Sequence, residues 1–261
     1  MKRTPIQLDP GQFPAPLRPF LRDAAVFDSS CSPAARVYFL DKGPGFYLKA
    51  APGGTLRREA ELTAFFHKKG LSPAVLAYES LEKDWLLTCR IPGEDCLDGQ
   101  YLADPARLCD TTALLLRQLH ELDPAGCPVP DRTAEYLAFA RRNYVQKTYD
   151  SSLFPDNWGF ATAEEAWAEL ERNGKHLKND TLLHGDYCLP NILLDNWKFS
   201  GFIDLDSGGV GDRHIDLFWG IWSLEFNLKT DRYRDRFLDA YGRDKIEEGL
   251  LRTVAAAEVF G

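Results

Sequence analysis

The segment that most constrains the fold is HGDYCLPNILLDNWKFSGFIDLD, residues 184–206. A hydrophobic strand stops just before Asp186 and another begins directly after Asn191, so a loop presents an acid and an amide next to buried strands. A second acid, Asp204, follows the strand-like FSGFI. An Asp-x4-Asn spacing alone is common. The whole run is too specific to be explained as a plain hairpin with an Asx turn at each end.

Phosphoryl transfer requires such a set of side chains. One carboxylate orients and deprotonates the attacking hydroxyl, while an amide and a further carboxylate hold Mg²⁺ against the nucleotide phosphates. The interval from Asp186 to Asn191 equals that of the protein-kinase catalytic loop, and Asp204 stands where the second magnesium carboxylate is expected. The segment predicts Asp186 as the catalytic base and Asn191 and Asp204 as magnesium ligands.

A lysine–glutamate pair in the first third of the chain extends this prediction. Lys49 ends the strand FYLK, and Glu59 follows ten residues later in a helix-forming stretch, residues 56–70. A strand lysine held by a helix glutamate is the kinase device for binding phosphates. Alone, the pair is more often two surface charges, but the 184–206 segment favours the functional interpretation. No Gly-x-Gly-x-x-Gly precedes Lys49, so other backbone N–H groups would have to cover the phosphates.

Secondary-structure signals divide the chain in two. Residues 36–51 and 74–91 read as two hairpins, and beyond them capped helices dominate, such as 104–122 with its N-cap aspartate. We therefore predict an α+β, two-lobed fold. Its small β-rich N-terminal lobe, residues 1–91, would bind the nucleotide. Its larger helical C-terminal lobe, residues 92–261, would carry catalysis and acceptor binding.

On these motifs the chain resembles the aminoglycoside 3'-phosphotransferase family, bacterial kinases with a protein-kinase-like fold. The resemblance covers most of the chain and is strongest in SPAARVYFL, FYLK, HGDYCLPNILL, FSGFIDLDSGGVGDRHIDL and AAAEVF. It implies ATP as phosphoryl donor, with GTP as an open alternative, and Mg²⁺ as the metal. It also implies that Tyr47 stacks on adenine and that the backbones of Cys89 and Ile91, in TCRIPG, bond the adenine edge.

The acceptor pocket is where the sequence departs from that family. By resemblance, Asp156 in FPDNWGF and Glu258 in AAAEVFG match acidic positions that bind polycationic aminoglycosides. Trp222 and Phe226 stand where the family usually has an arginine and an acid. We therefore expect an acceptor pocket that is less charged and more aromatic than is usual in the family.

Two further polar residues flank the catalytic segment. A histidine directly before Gly-Asp, here His184, more often braces the loop than reacts. Asp216, in DRHIDLFW, is placed on a helix from which it can support the same loop. We expect structural support from both.

Composition limits the classes of partner. The formal net charge of -8 argues against a general nucleic-acid binder and suits a cationic small-molecule acceptor. The six cysteines show no Cys-x-x-Cys pair and no zinc spacing, which indicates reduced thiols. No signal peptide and no stretch of 18 apolar residues is visible, so we expect no membrane span and a cytoplasmic protein. A monomer or weak homodimer is the expected state.

Two alternatives remain open at this stage. The first is a kinase of the same fold acting on another hydroxyl metabolite such as a sugar, an amino alcohol or a macrolide, and the Trp222 and Phe226 changes favour it. The second is a nucleotide-binding module without turnover. The presence of Asp186, Asn191 and Asp204 argues against that module, as does that of Lys49, because a pseudokinase typically loses one of them.

Overall fold

The structure is a computed structural model that describes residues 3–31, 33, 35–150 and 159–261. The described chain divides into two compact units. The first unit contains the chain up to Asp98 together with Pro190–Ser207. The second unit contains Gly99–Leu189 and Gly208–Gly261. Strands dominate the first unit and helices the second, which confirms the predicted α+β class. The assignment of nucleotide and acceptor binding to lobes divided near residue 91 stays a prediction.

The first unit is built on a six-stranded antiparallel sheet in the order β1-β2-β3-β4-β6-β5. Both predicted hairpins are confirmed, because β3 pairs with β4 and β5 with β6. The strands are β1 (Thr4–Ile6), β2 (Ala25–Asp28), β3 (Arg36–Asp41), β4 (Phe46–Pro52), β5 (Val75–Ser80) and β6 (Lys83–Cys89).

Each face of this sheet is covered by a different segment. The short helix α1 (Arg18–Leu21) and the residues before it bring Phe13 and Leu17 into a cluster with Leu48 of β4. Helix α2 (Arg57–Lys68) packs Ala60 against Leu86 of β6 in a separate cluster. Because side chains alternate along a strand, β4 buries Leu48 on one side and presents Tyr47 and Lys49 on the other.

Residues 190–207 form a separate small sheet within the first unit. In it β9 (Ile192–Asp195) pairs with β10 (Lys198–Phe202) and with β7 (Glu94–Asp95), all antiparallel. Close packing explains one glycine, because a Cβ on Gly93, whose φ is +91°, would lie 2.1 Å from the Leu194 carbonyl oxygen. The β9–β10 hairpin therefore packs against Gly93 and β7, which lie shortly before the second unit begins at Gly99.

Helices dominate the second unit, and a large apolar cluster among its described residues includes Leu183, Ile215, Val254 and Phe260. The two-stranded pair of β8 (Thr181–Leu183) and β11 (Gly209–Gly211) lies beside them. None of the helices in the described ranges is both long and apolar enough to span a membrane. These helices are α3 (Gly99–Leu102), α4 (Pro105–His120), α5 (Arg132–Gln146), α6 (Ala163–Asn173), α7 (Arg213–Leu228), α8 (Arg234–Tyr241) and α9 (Glu248–Glu258).

Candidate functional site

In the first unit, the structure brings together three of the predicted residues, which we call the Lys49 cluster: Lys49, Glu59 and Asp204. The Lys49 ammonium lies 2.8 Å from Glu59 Oε2 and 2.7 Å from Asp204 Oδ1. Strand β4 supplies the lysine, the first turn of α2 supplies the glutamate, and the segment after β10 supplies the aspartate. Residues separated by 155 positions therefore meet at one cation.

Burial and charge act against each other in this cluster. Burial opposes the charged form of Lys49, but Asp204 and then Glu59 outweigh it and raise the pKa of the ammonium. Burial also raises the pKa of the Glu59 carboxyl, and the lysine acts against that rise. With an ammonium at 2.8 Å, we assign Glu59 the charged form. The cluster is a partly buried cation held by two anions, of which Glu59 is buried and Asp204 is half exposed.

The two predicted metal ligands also belong to the first unit. The backbone N–H of Ile203 donates to the Asn191 carbonyl oxygen at 3.1 Å, so Asn191 lies beside the chain that leads into Asp204. Asn191 is buried, and Asp204 has a left-handed backbone with φ of +56°. Among the described residues there is no group of three or more His, Cys, Asp or Glu side chains suited to a metal.

The predicted base-binding residues lie along strands β4 and β6. Tyr47 is the cross-strand partner of Phe39, and their ring centroids are 5.2 Å apart. The N–H of Cys89 donates to the Ala74 carbonyl oxygen at 3.0 Å. Its donor is therefore committed within the sheet, and only its carbonyl could contact a nucleotide. Ile91 follows β6, and its side chain packs against the backbone of Gly201.

In the second unit, the predicted catalytic residue Asp186 follows β8 on a tightly held loop. Asp216 of α7 accepts hydrogen bonds from the backbone N–H groups of His184 and Gly185, each at 2.7 Å. The N–H of Asp186 in turn donates to His184 Nδ1 at 3.3 Å. Both support roles predicted from sequence, for His184 and Asp216, are thus visible in the structure. Burial and then the Asp186 carboxylate raise the pKa of the Cys188 thiol, which therefore stays protonated.

The support continues through two residues that the sequence analysis did not identify. His120 of α4 contacts Asp216 Oδ2 through Nε2 at 3.1 Å and the Tyr241 hydroxyl through Nδ1 at 2.8 Å. Burial lowers the pKa of His120, so the ring is neutral and carries one proton. Because the Asp216 carboxylate can only accept, we assign that proton to Nε2 and let the Tyr241 hydroxyl donate to Nδ1. Asp216, His120 and Tyr241 are called the Asp216 network below.

Among the predicted acceptor-binding residues that the structure describes, Glu258 is the most enclosed. Its Oε1 accepts hydrogen bonds from the Tyr136 hydroxyl at 2.6 Å and from Trp219 Nε1 at 3.1 Å. Burial raises the pKa of the Glu258 carboxyl to about 7, although both donors favour the charged form. A partly protonated glutamate that is already bonded twice is a weaker anchor for an ammonium group than a free carboxylate.

Two further predicted acceptor residues, Trp222 and Phe226, form an aromatic surface on α7. The rings of Trp222 and Phe226 stack at 4.9 Å with an interplanar angle of 11°, and Phe226 is 53% exposed. Trp222 also borders a cavity of about 250 Å³, whose walls include Phe218 and Glu225. Asp156 lies outside the described residues.

Comparison with known proteins identifies the family. The model of the phosphotransferase enzyme family matches residues 32–253. A relative named "probable aminoglycoside 3'-phosphotransferase" from Lactococcus lactis subsp. lactis (strain IL1403) is 53% identical over 252 residues, which are 96% of this chain and 95% of the relative. An aminoglycoside 3'-phosphotransferase from Niallia circulans is 33% identical over 81% of this chain and 82% of its own length.

A solved structure supports the same conclusion. The crystal structure of an aminoglycoside-3'-phosphotransferase of type VIII matches with a TM-score of 0.77 and 26% identity, over 96% of both chains. The resemblance noted from the motifs is thereby confirmed. The chain belongs to the phosphotransferase enzyme family and is an enzyme of the kinase-like fold that this family shares.

Proposed function

We propose that this enzyme transfers the γ-phosphoryl group of ATP to a hydroxyl of an aminoglycoside, of the 3'-hydroxyl type. The observation that carries the proposal is the Lys49 cluster, which has the lysine–glutamate pair and the metal-site aspartate of a nucleotide-dependent kinase. The names of the relatives supply the acceptor class. Use of GTP in place of ATP stays open.

Lys49 is the proposed phosphate-binding group. Its charge is held by Glu59 and Asp204 before any substrate arrives, so the ammonium is ordered rather than solvated. We infer that the nucleotide phosphates take over part of the Asp204 contact, because Asp204 is half exposed and Glu59 is not. Tyr47 would carry the adenine ring, and the Cys89 carbonyl with the Ile91 backbone would contact its edge.

The residues present fit a magnesium ion. Asn191 and Asp204 offer hard oxygen atoms, and Mg²⁺ usually takes only one or two protein ligands and completes its octahedron with phosphate oxygens and water. When bound, the ion would neutralise charge on the phosphates.

Asp186 is the proposed catalytic residue. Its carboxylate would accept the proton of the acceptor hydroxyl as that oxygen attacks phosphorus, and its loop holds it in place through the contacts of Asp216. Positioning is central to this chemistry, since the phosphoryl group itself needs little covalent help. Glu258, Trp222, Phe226 and Asp156 are the proposed acceptor-binding residues.

A second acceptor class is favoured by one observation. The stacked pair Trp222–Phe226, of which Phe226 is exposed and Trp222 partly buried, offers an aromatic surface, and Glu258 is buried with two hydrogen bonds already made. Such a surface suits a less charged ring, as in a sugar, an amino alcohol or a macrolide.

A cytoplasmic location and a monomeric or weakly dimeric state also remain predictions from the sequence.

Coupled steady-state turnover with kanamycin, neomycin, a macrolide and choline at two ionic strengths tests the proposal. We expect an aminoglycoside to stimulate ATP consumption, with KM rising as salt screens the long-range attraction to a chain of net charge -8. NMR of the product locates the phosphate, and Asp186→Asn is the inactive control. Stimulation by the macrolide or choline alone would replace the aminoglycoside assignment with the second class.

A further inference from the structure

Arg3, which belongs to none of the motifs above, lies on the aromatic surface that carries Tyr47. Its guanidinium carbon is 3.7 Å from the centroid of the Phe39 ring. Its Nη2 donates a hydrogen bond to the Tyr47 hydroxyl at 3.1 Å. Phe39 and Tyr47 are cross-strand partners in β3 and β4. A long and flexible side chain is thus held at two points on one face of the sheet.

That face is also the one from which Lys49 projects. Tyr47 and Lys49 are two residues apart on β4, and side chains at that spacing point to the same side of a strand. The backbone next to Arg3 is fixed as well, because Thr4 opens β1 and pairs with Asp28 of β2. The sheet therefore determines where the Arg3 side chain begins, and Phe39 and Tyr47 determine where it ends.

The charges of the two cations are balanced differently. Lys49 has two carboxylate partners, Glu59 and Asp204. Within the described part of the chain, Arg3 has no carboxylate partner, and its contacts are a neutral ring and a phenol. An arginine that is positioned but not neutralised keeps most of its five donors and its full charge for an anionic ligand.

We propose that Arg3 is a nucleotide-binding residue, which contacts the phosphate-bearing side of the nucleotide while Tyr47 holds the base. This inference rests on the proposed function, since it requires that Tyr47 and Lys49 bind ATP. The planar guanidinium suits the role because it can stack on Phe39 through its face and still donate hydrogen bonds along its edge. Arg3 thereby adds the residue that precedes β1 to the nucleotide site.

Calorimetric titration of the full chain with ATP, ADP and adenosine tests the proposal. We expect Arg3→Ala to weaken ATP and ADP binding about tenfold, the lower end of what a hydrogen bond between charged groups contributes. Adenosine carries no phosphate, so its affinity should change less than about twofold. Arg3→Lys should recover part of the loss, because it keeps the charge but not the flat stacking surface.

Arg57→Ala is the matched control. Arg57 is another exposed arginine of the first unit, paired with Glu61 on the surface of α2, and its removal should leave all three affinities unchanged. Arg3 is exposed, so Arg3→Ala should unfold at the same temperature as the unmodified chain. A loss of unfolding free energy in Arg3→Ala that equals its loss of binding free energy would mean a structural role and would overturn the proposal.

Three further results would also overturn it. They are an unchanged ATP affinity, an equal loss for adenosine and ATP, and tighter ATP binding, which would show that Arg3 blocks the site. Failure of the proposed function has a different signature, namely no ATP binding by the unmodified chain, or binding that Lys49→Ala leaves unchanged. In that case both the proposed function and the inference about Arg3 are wrong. ATP binding that depends on Lys49 but not on Arg3 overturns only the inference.

Discussion

The two units hold their key carboxylates by different physical means. In the Lys49 cluster of the first unit, two acids share one ammonium at 2.7–2.8 Å. In the Asp216 network of the second unit, the acid itself is bonded to no cation among the described residues, and Arg213 contacts the network only at its far end, where it donates to the Tyr241 hydroxyl at 3.4 Å. Asp216 is wholly buried and is satisfied by two backbone N–H groups and one histidine. The first arrangement is ionic, and the second consists of neutral donors around one acid.

This difference follows from what each region has to hold. A nucleotide is a polyanion, so its site needs positive charge that can be re-partnered when phosphates and metal arrive. A catalytic loop needs fixed geometry, and backbone amides that donate to a buried carboxylate provide it because an unpaired buried polar group is costly. We therefore expect mutations in the first unit to change nucleotide affinity and mutations in the second to change turnover.

The sharpest test of this comparison pairs Asp186→Asn with Lys49→Ala. Asp186→Asn should lower kcat about 10²- to 10⁴-fold, the range of general-base help, and leave the Kd for ATP nearly unchanged. Lys49→Ala should raise the Kd for ATP, because it removes the cation and leaves two acids, Glu59 and Asp204, facing the phosphates. Turnover kinetics and direct ATP titration measure the two effects separately.

The comparison has a clear mode of failure. If Asp186→Asn keeps the kcat of the unmodified chain on a confirmed acceptor, the residue is not the base. If Asp186→Asn and Lys49→Ala lose nucleotide affinity to the same extent, the division of labour between the units is wrong. Arg57→Ala serves again as a neutral control for the first unit, since its pair with Glu61 is an exposed one on α2.

Glu258 is a buried acid whose described hydrogen bonds come from neutral donors, so it should make the free energy of unfolding depend on pH. The pKa of Glu258 is raised to about 7 by burial, whereas an unfolded glutamate titrates near 4.3. Between these values the folded chain keeps a proton that the unfolded chain has released. Stability therefore falls as pH rises from about 4 to 7, by at most about 4 kcal/mol at 1.36 kcal/mol per unit.

Denaturant titration at several pH values measures that slope. Glu258→Gln should flatten it, because glutamine does not titrate and its Oε1 can still accept from Tyr136 and Trp219. Glu165→Gln is the control, as Glu165 caps α6 near the surface. An unchanged slope in Glu258→Gln would show that Glu258 is charged throughout, and the contrast between ionic and neutral environments would weaken.

Local sequence signals predicted much of this molecule. The hairpins and the α4 cap at Asp104 follow from patterns within a few residues, and the structure confirms them. The Asp216 network was only partly predicted from the sequence. The position of Asp216 suggested loop support, but its partner His120 lies 96 residues away in the sequence, and His120 in turn lies 121 residues from Tyr241.

One signal for His120 was available in the sequence. His120 follows Leu116 by four residues on the apolar face of α4, where a polar ring must find partners once it is buried. Which partners it finds depends on the packing of α7 and α8, and no local pattern encodes that. Arg3 gave no signal at all, because its contacts with Phe39 and Tyr47 arise only when β1 joins the sheet.

The smallest expected effect, and the most specific to the neutral region, belongs to Tyr241→Phe. The ring stays, but Nδ1 of the buried His120 loses its donor, which should destabilise the fold by about 1–2 kcal/mol. Because His120 orients Asp216, we also expect kcat to fall severalfold while ATP affinity stays the same. Tyr233→Phe is the matched control, since that hydroxyl bonds only the exposed Arg232 in the contacts described. A loss of ATP affinity in Tyr241→Phe, with kcat unchanged, would show that the Asp216 network serves the nucleotide and not the loop.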